Sequence, residues 1–326
     1  FKMKKQLLIA AVAATMTSVA FADVSITGDA KFEYFNAETA GVSTNKTNTE
    51  TNLSVKGKNG DTAVVINVEV NGHGDDQIDI EDMYMTTKIG DVTIKGGDYA
   101  SGTSGILGEI DNGGRANDKV TISGSNGGVS WYAGNSGTTG GATVIDANGF
   151  YGASVDVAGW KVQAKHNSAI VDSFGISGDL SGLGVRLEQK SSDTANSDVT
   201  FGNMTYSTNG INLGYAFIDA DQAGLVTEDD SSIFAVEMAT AGGVALTHAT
   251  GVTQVSANTS IAGNSVTVKS GSVEKGINAT TDLDFMQIAA SRPLASGSTL
   301  AVTYTDKDAS ATTDTKTLEL DLSVKF

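Results

Sequence analysis

The stretch that decides the fold is T317-L-E-L-D-L-S-V-K-F326, in which Leu318, Leu320, Leu322, Val324 and Phe326 alternate with Glu319, Asp321, Ser323 and Lys325. A period of two puts every apolar side chain on one face of a strand and every polar one on the other. The same alternation opens the region from Asp23. There Val24, Ile26, Ala30, Phe32 and Tyr34 share one face, opposite Ser25, Thr27, Asp29, Lys31 and Glu33. It returns in V64-V-I-N-V-E-V70, in W160-K-V-Q-A-K165 and in V185-R-L-E-Q-K190. The chain therefore reads as half-buried strands throughout.

Composition agrees. There are 39 glycines and one proline in 326 residues. Proline removes a ladder donor, so long central strands exclude it, whereas glycine suits tight turns. Residues 1–22 read as a basic segment, an apolar run and an A-x-A site at Ala20 to Ala22, the pattern of a signal peptide cleaved after Ala22. Removing them leaves 18 basic against 38 acidic residues, a formal charge of −20 that excludes nucleic acid as a partner. Cysteine is absent, which excludes disulfides, thiolate metal sites and cysteine catalysis.

No later run is long and apolar enough for a membrane helix. A chain like this can enter a bilayer only as a closed sheet, which satisfies every backbone polar group internally. Short connectors at 58–61, 89–91, 126–128, 158–159, 181–184, 209–210, 241–243 and 295–298 read as hairpin turns. Longer polar loops are expected at 37–47, 100–117, 136–147, 220–230 and 251–280. Eight short turns with an opening and a closing strand count to eighteen strands. With brief connections at 71–76 and 168–172 and room for another hairpin within 251–280, the range is 16 to 18 strands in one domain, residues 23–326. The expected fold is an all-β, antiparallel, up-and-down transmembrane barrel whose last strand pairs with the one starting at Asp23.

If the aliphatic side chains meet lipid, the alternate positions place Lys31, Lys56, Lys95, Lys161, Lys165 and Arg186 on a water-filled lumen. A charge on the lipid face costs about 2 to 4 kcal/mol at mid-membrane, so this phase is strongly constrained. Aromatics including Tyr34, Phe35, Trp131, Tyr132, Phe150, Tyr151, Trp160, Tyr215, Phe217 and Tyr304 are expected on the apolar phase or near strand ends, as interfacial belts. A sugar-binding track would instead need several aromatics on the polar phase along one path, and the sequence shows none.

Catalysis has no footing: His73, His166 and His248 lack metal-ligand spacing, and no nucleophile motif or phosphate loop occurs. D219-A-D-Q-A-G224 begins like a calcium loop, but Ala223 spoils the fifth ligand and no helix flanks it. Neither this segment nor D75-D-Q-I-D-I-E-D82 is read as a metal site, and no cofactor is expected.

Taken together, the layout resembles the general porins of Gram-negative outer membranes. The alternation of Leu318 to Phe326 looks like the signal read by the barrel-assembly machinery of that membrane. G90-DVTIKGGDYASGTSGILGEIDNGGRANDKVT-I122 looks like a porin strand, its third loop and the next strand. The resemblance implies a constriction loop folded into the lumen, with Glu109 and Asp111 as its carboxylates and Asp98 at its start. Where the family has P-E-F-G-G, this chain has L107-G-E-I-D-N-G-G114. It also implies a homotrimer in outer-membrane lipid, reached through the export machinery, that passes ions and small hydrophilic solutes; the charge of −20 points to a mild preference for cations. Two other readings share the composition. One is a secreted or surface-attached adhesive protein built as a β-sandwich or β-solenoid; the other is a substrate-specific channel on the same barrel.

Overall fold

In the computed structural model the structure describes residues 23–72, 78–100, 115–135, 149–167, 171–192, 198–221, 249–275, 283–308 and 314–326. These residues form eighteen strands and no helix. In chain order they are β1 (Asp23–Thr39), β2 (Val42–Asn59), β3 (Thr62–Asn71), β4 (Ile78–Ile89), β5 (Val92–Ala100) and β6 (Arg115–Asn126). Next come β7 (Val129–Asn135), β8 (Gly149–Val157), β9 (Trp160–Asn167), β10 (Val171–Leu180), β11 (Leu183–Ser192) and β12 (Val199–Thr208). The rest are β13 (Ile211–Ala220), β14 (Ala249–Ile261), β15 (Asn264–Lys275), β16 (Leu283–Pro293), β17 (Ser298–Asp308) and β18 (Thr315–Lys325).

Every strand is antiparallel to its sequence neighbours, and β1 pairs with both β2 and β18. The seam sets Phe32 against Leu322 and Tyr34 against Leu320, and Gly28 and Phe326 exchange two backbone hydrogen bonds of 2.9 Å. A single sheet whose first and last strands pair is a closed barrel, as the alternation predicts. It is neither a sandwich nor a solenoid, so the folds expected for an adhesive protein are overturned.

The expected turns recur between β2 and β3, β4 and β5, β6 and β7, β8 and β9, β10 and β11, β12 and β13, and β16 and β17. The segment 241–243 lies outside the described residues. The eighth turn on that edge is Ala262–Gly263, between β14 and β15, so the long loop expected over 251–280 is instead the hairpin that segment had room for. Both turn residues have positive φ, 51° and 80°, which matches the twist of the flanking strands in a two-residue hairpin. Ala40–Gly41, with φ of 50° and 78°, likewise replaces the expected loop over 37–47 by a tight turn on the opposite edge.

The correction at Ala40–Gly41 has a clear cause. β3 covers β2 only from Glu50 to Asn59, so residues 42–49 stand beyond their neighbour, where the outer face meets water and needs no aliphatic residues. Ser43, Asn45 and Thr47 then look like loop. The longer connections at 101–114, 136–148 and 222–248 lie outside the described residues, although Arg115 to Asn117, expected in a loop, already belong to β6.

The register carries one face around the whole barrel. On one phase, Ile26, Phe32, Ile80, Met85, Phe174 and Val255 are about half exposed. On the other, Phe201, Ile218, Val252, Val273 and Leu283 are exposed by 2 % or less. A closed sheet shields its concave side, so the second phase faces inward and the first forms an outer apolar belt. A soluble protein rarely leaves an apolar surface of that extent bare.

Candidate functional site: the inner wall

The inward phase divides into three sectors, with β17, which presents Thr303, Thr305 and Lys307, at the boundary between the third and the first. The first spans β18 and β1–β4 and carries Glu319, Asp321, Asp29, Glu33, Glu50, Glu69, Asp79 and Asp82, interleaved with Lys31, Lys46 and Lys56. Carboxylate oxygens of Glu33, Glu319 and Asp321 all lie within 4.8 Å of one another, and Lys31 forms an ion pair with Glu33. Asparagines brace the acids: Asn48 donates to Glu33 at 3.2 Å, Asn67 to Asp82 at 2.7 Å, and Asn52 to Glu50 at 2.7 Å. An amide that donates to a carboxylate fixes its position without cancelling its charge.

The second sector, β5–β11, is mostly basic. Lys95, Lys119, Lys161, Lys165, Arg186 and Lys190 face inward there, against Asp156, Asp179 and Glu188. The Lys95 ammonium sits 3.8 Å from the ring centroids of both Tyr84 and Tyr99. Lys119, fully buried, lies 5.1 Å from the Tyr99 ring and 5.8 Å from Phe150. Cation–π contacts of this kind hold a lysine against the wall. The Tyr99 and Thr121 hydroxyls, 2.6 Å apart, pin the Tyr99 ring.

The third sector, β12–β16, is apolar toward the long-loop edge, with Val199, Phe201, Ile218, Val252, Val273, Leu283 and Phe285 all buried. Toward the short-turn edge it carries uncharged Asn203, Asn212, Ser256, Asn258 and Thr267, with Lys269 between the two halves.

The six predicted cations all lie on the inward phase but do not form one cluster. Lys31 and Lys56 stand among the acids; Lys95, Lys161, Lys165 and Arg186 stand in the basic sector. Asp98 sits opposite Met83, on the outward phase, at a bulge that shifts register between Gly97 and Tyr99. Glu109 and Asp111 lie outside the described residues. Leu318, Leu320, Leu322 and Val324 lie on the outward phase of β18.

The aromatics correct the expected belts. Tyr34, Trp131, Tyr151, Trp160, Tyr215, Phe217 and Tyr304 share the outward phase, but Phe35, Tyr132 and Phe150 turn inward, beside Tyr84, Tyr99, Phe201 and Phe285. The W131-Y132 and F150-Y151 doublets each put one ring on either face, and alternation alone cannot say which.

No protein-family model matches the chain, and no curated protein matches it. Among solved structures the barrel is similar to OccK11 (OpdR) of Pseudomonas aeruginosa, at a TM-score of 0.65 and 12% identity over 93% of this chain and 96% of that one. It is similar as well to OccK2 (OpdF) of the same organism, at 0.63 and 12% over 93% and 98%. A variant of the Rh. blastica porin aligns at 0.56 and 10% over 93% and 100%. At these identities the likeness establishes the fold, a closed eighteen-strand barrel of the porin type.

Proposed function

We infer that the chain is a porin of the bacterial outer membrane. It forms a water-filled channel for passive diffusion of ions and small hydrophilic solutes, and it is not an enzyme. The observation that carries this is the opposition of faces: an apolar belt outside a closed barrel, and a charged wall inside that is acidic on one arc and basic on another. Barrels of this strand number are wide enough to leave an aqueous lumen. Acids facing cations set up a transverse field, along which hydrated ions of either sign follow separate tracks. The porin and Occ structures that share the fold support the reading, and one of them, OccK2, was solved with glucuronate.

The same reading includes export through a signal peptide cleaved after Ala22, assembly by the barrel-insertion machinery through the β18 residues, and a homotrimer. Its selectivity is mildly cationic, with Glu109 and Asp111 narrowing the lumen opposite the lysines. Reconstituted in a planar bilayer, residues 23–326 should give stepwise conductance. Folded protein without steps overturns the channel. Neutralising Glu109 and Asp111 together should lower cation preference in reversal-potential measurements, and unchanged selectivity removes them from the constriction.

The outer belt makes its own prediction. Leu322 is exposed between Phe32 and Leu300, also exposed. Leu322→Arg should destabilise the barrel by about 2 to 4 kcal/mol in lipid. Urea unfolding in vesicles measures it, and a wild-type midpoint would mean that this face does not meet lipid.

A further inference from the structure

We propose that the inner wall of β4–β9 carries a binding site for a neutral polyhydroxylated solute, a pyranose sugar of one or two rings. Its place inside a conducting lumen rests on the channel reading; its chemistry does not. Two inward rings lie across glycines of the neighbouring strand. A Cβ on Gly152 would stand 2.5 Å from the Tyr132 hydroxyl oxygen, and one on Gly134 would stand 2.4 Å from Phe150 Cζ. Each ring therefore lies along the wall in the space the missing methyl leaves. Their centroids are 6.3 Å apart, and Tyr84 and Tyr99 form a second pair, 5.7 Å apart, on β4 and β5.

Tyr132 is the ring that borders open space. Beside it is a cavity of about 410 Å³, lined on the inward phase by Thr93, Ser123, Ser125, Ser130 and Ser154, with the Gln163 amide behind them. That volume suits a small ligand. Each hydroxyl can donate or accept, so the wall can match sugar hydroxyls in whichever sense they present, while the aromatic face takes the C–H side of the ring. Lys88 and Asp91, both lining the cavity, carry opposite charges. A net-neutral cavity of hydroxyls with one aromatic face favours an uncharged polyol over an ion or an apolar molecule.

The test is direct binding of maltose and of glucose to the folded, detergent-solubilised protein by isothermal titration, run beside block of ion current by maltose in a bilayer. Saturable maltose binding is expected. Tyr132→Ala should weaken it about tenfold, the loss of one stacking face. Tyr132→Phe, which keeps the ring, should bind within about twofold of the wild type. Each variant's gel mobility without boiling shows that it is folded. No saturable binding of either sugar to folded protein overturns the proposal, as does binding that Tyr132→Ala leaves unchanged. Binding without any conductance supports the site and overturns the channel. Conductance that maltose neither blocks nor binds does the reverse.

Discussion

Gly97→Val should prevent the barrel from forming. Gly97 has a φ of 133°, a region that side-chain-bearing residues rarely adopt. A Cβ there would lie 2.3 Å from the Met83 carbonyl oxygen and 2.7 Å from the Tyr84 Cα, both backbone atoms of β4 that cannot rotate away. The strained dihedral alone costs about 1 to 3 kcal/mol, and the overlap adds to it. Folded proteins hold only about 5 to 15 kcal/mol in reserve. The damage is also topological, because Gly97 begins the bulge that shifts register before Tyr99 and sets the Lys119 side of the wall. The mobility of unboiled protein on a gel reports the folded fraction, which should fall close to zero. Gly57→Ala is the control, since nothing lies within 4 Å of its would-be Cβ. Wild-type folding of Gly97→Val would mean that the bulge is not needed for closure.

The second large effect is electrical. Replacing Glu33 and Glu319 by Gln and Asp321 by Asn should move the reversal potential under a KCl gradient toward anions. These three carboxylates lie within 4.8 Å of one another, so an ion passing that arc meets them almost as one charge. The variant also leaves Lys31 without its Glu33 partner, so the cluster itself keeps only a positive charge while the rest of the arc stays acidic. At 4 Å in water a unit charge is worth about 1 kcal/mol, so the permeability ratio should change roughly fivefold, and less in concentrated salt. A ratio that stays the same in dilute KCl would place this arc away from the path of the ions.

How much of this the sequence discloses depends on what each face touches. The belt was legible because lipid demands aliphatic side chains at every second position, as in Leu318 to Val324. Closure followed, since an open edge cannot be satisfied in hydrocarbon. Ala40–Gly41 was not legible, because residues 42–49 place Ser, Thr and Asn on a face that a shorter strand would fill with valine; at Ala262–Gly263 the alternation of Val266 and Val268 breaks off into Ser270 and Ser272 on the same face. The wall is harder still. The phase of Lys31 or Arg186 can be read from its neighbours, but the meeting of Glu33 with Glu319 and Asp321 depends on the pairing of the first strand with the last. Tyr132 and Phe150 were misassigned because each stands beside another aromatic. Lys119 was hidden at the margin of a presumed loop, although its two-residue spacing from Thr121 and Ser123 carries the signal.

The seam between β1 and β18 has a consequence in time. Every other pairing in the sheet joins strands adjacent in sequence, so seventeen of the pairings around the circle are local, even where the connection is as long as the one between Ala220 and Ala249. The remaining one brings Lys31 to Ser323 and Phe32 to Leu322, from opposite ends of the barrel sequence. Hairpins form in about 1 to 10 μs, whereas long-range pairing must first overcome the entropy of bringing distant ends together. The sheet can therefore grow hairpin by hairpin as an open, curling ribbon, and the seam zips last. Until it does, two bare edges face each other, and the acidic cluster, which borrows Glu33 from one edge and Glu319 and Asp321 from the other, does not exist. Closure of the barrel and assembly of its most concentrated charge are one kinetic event.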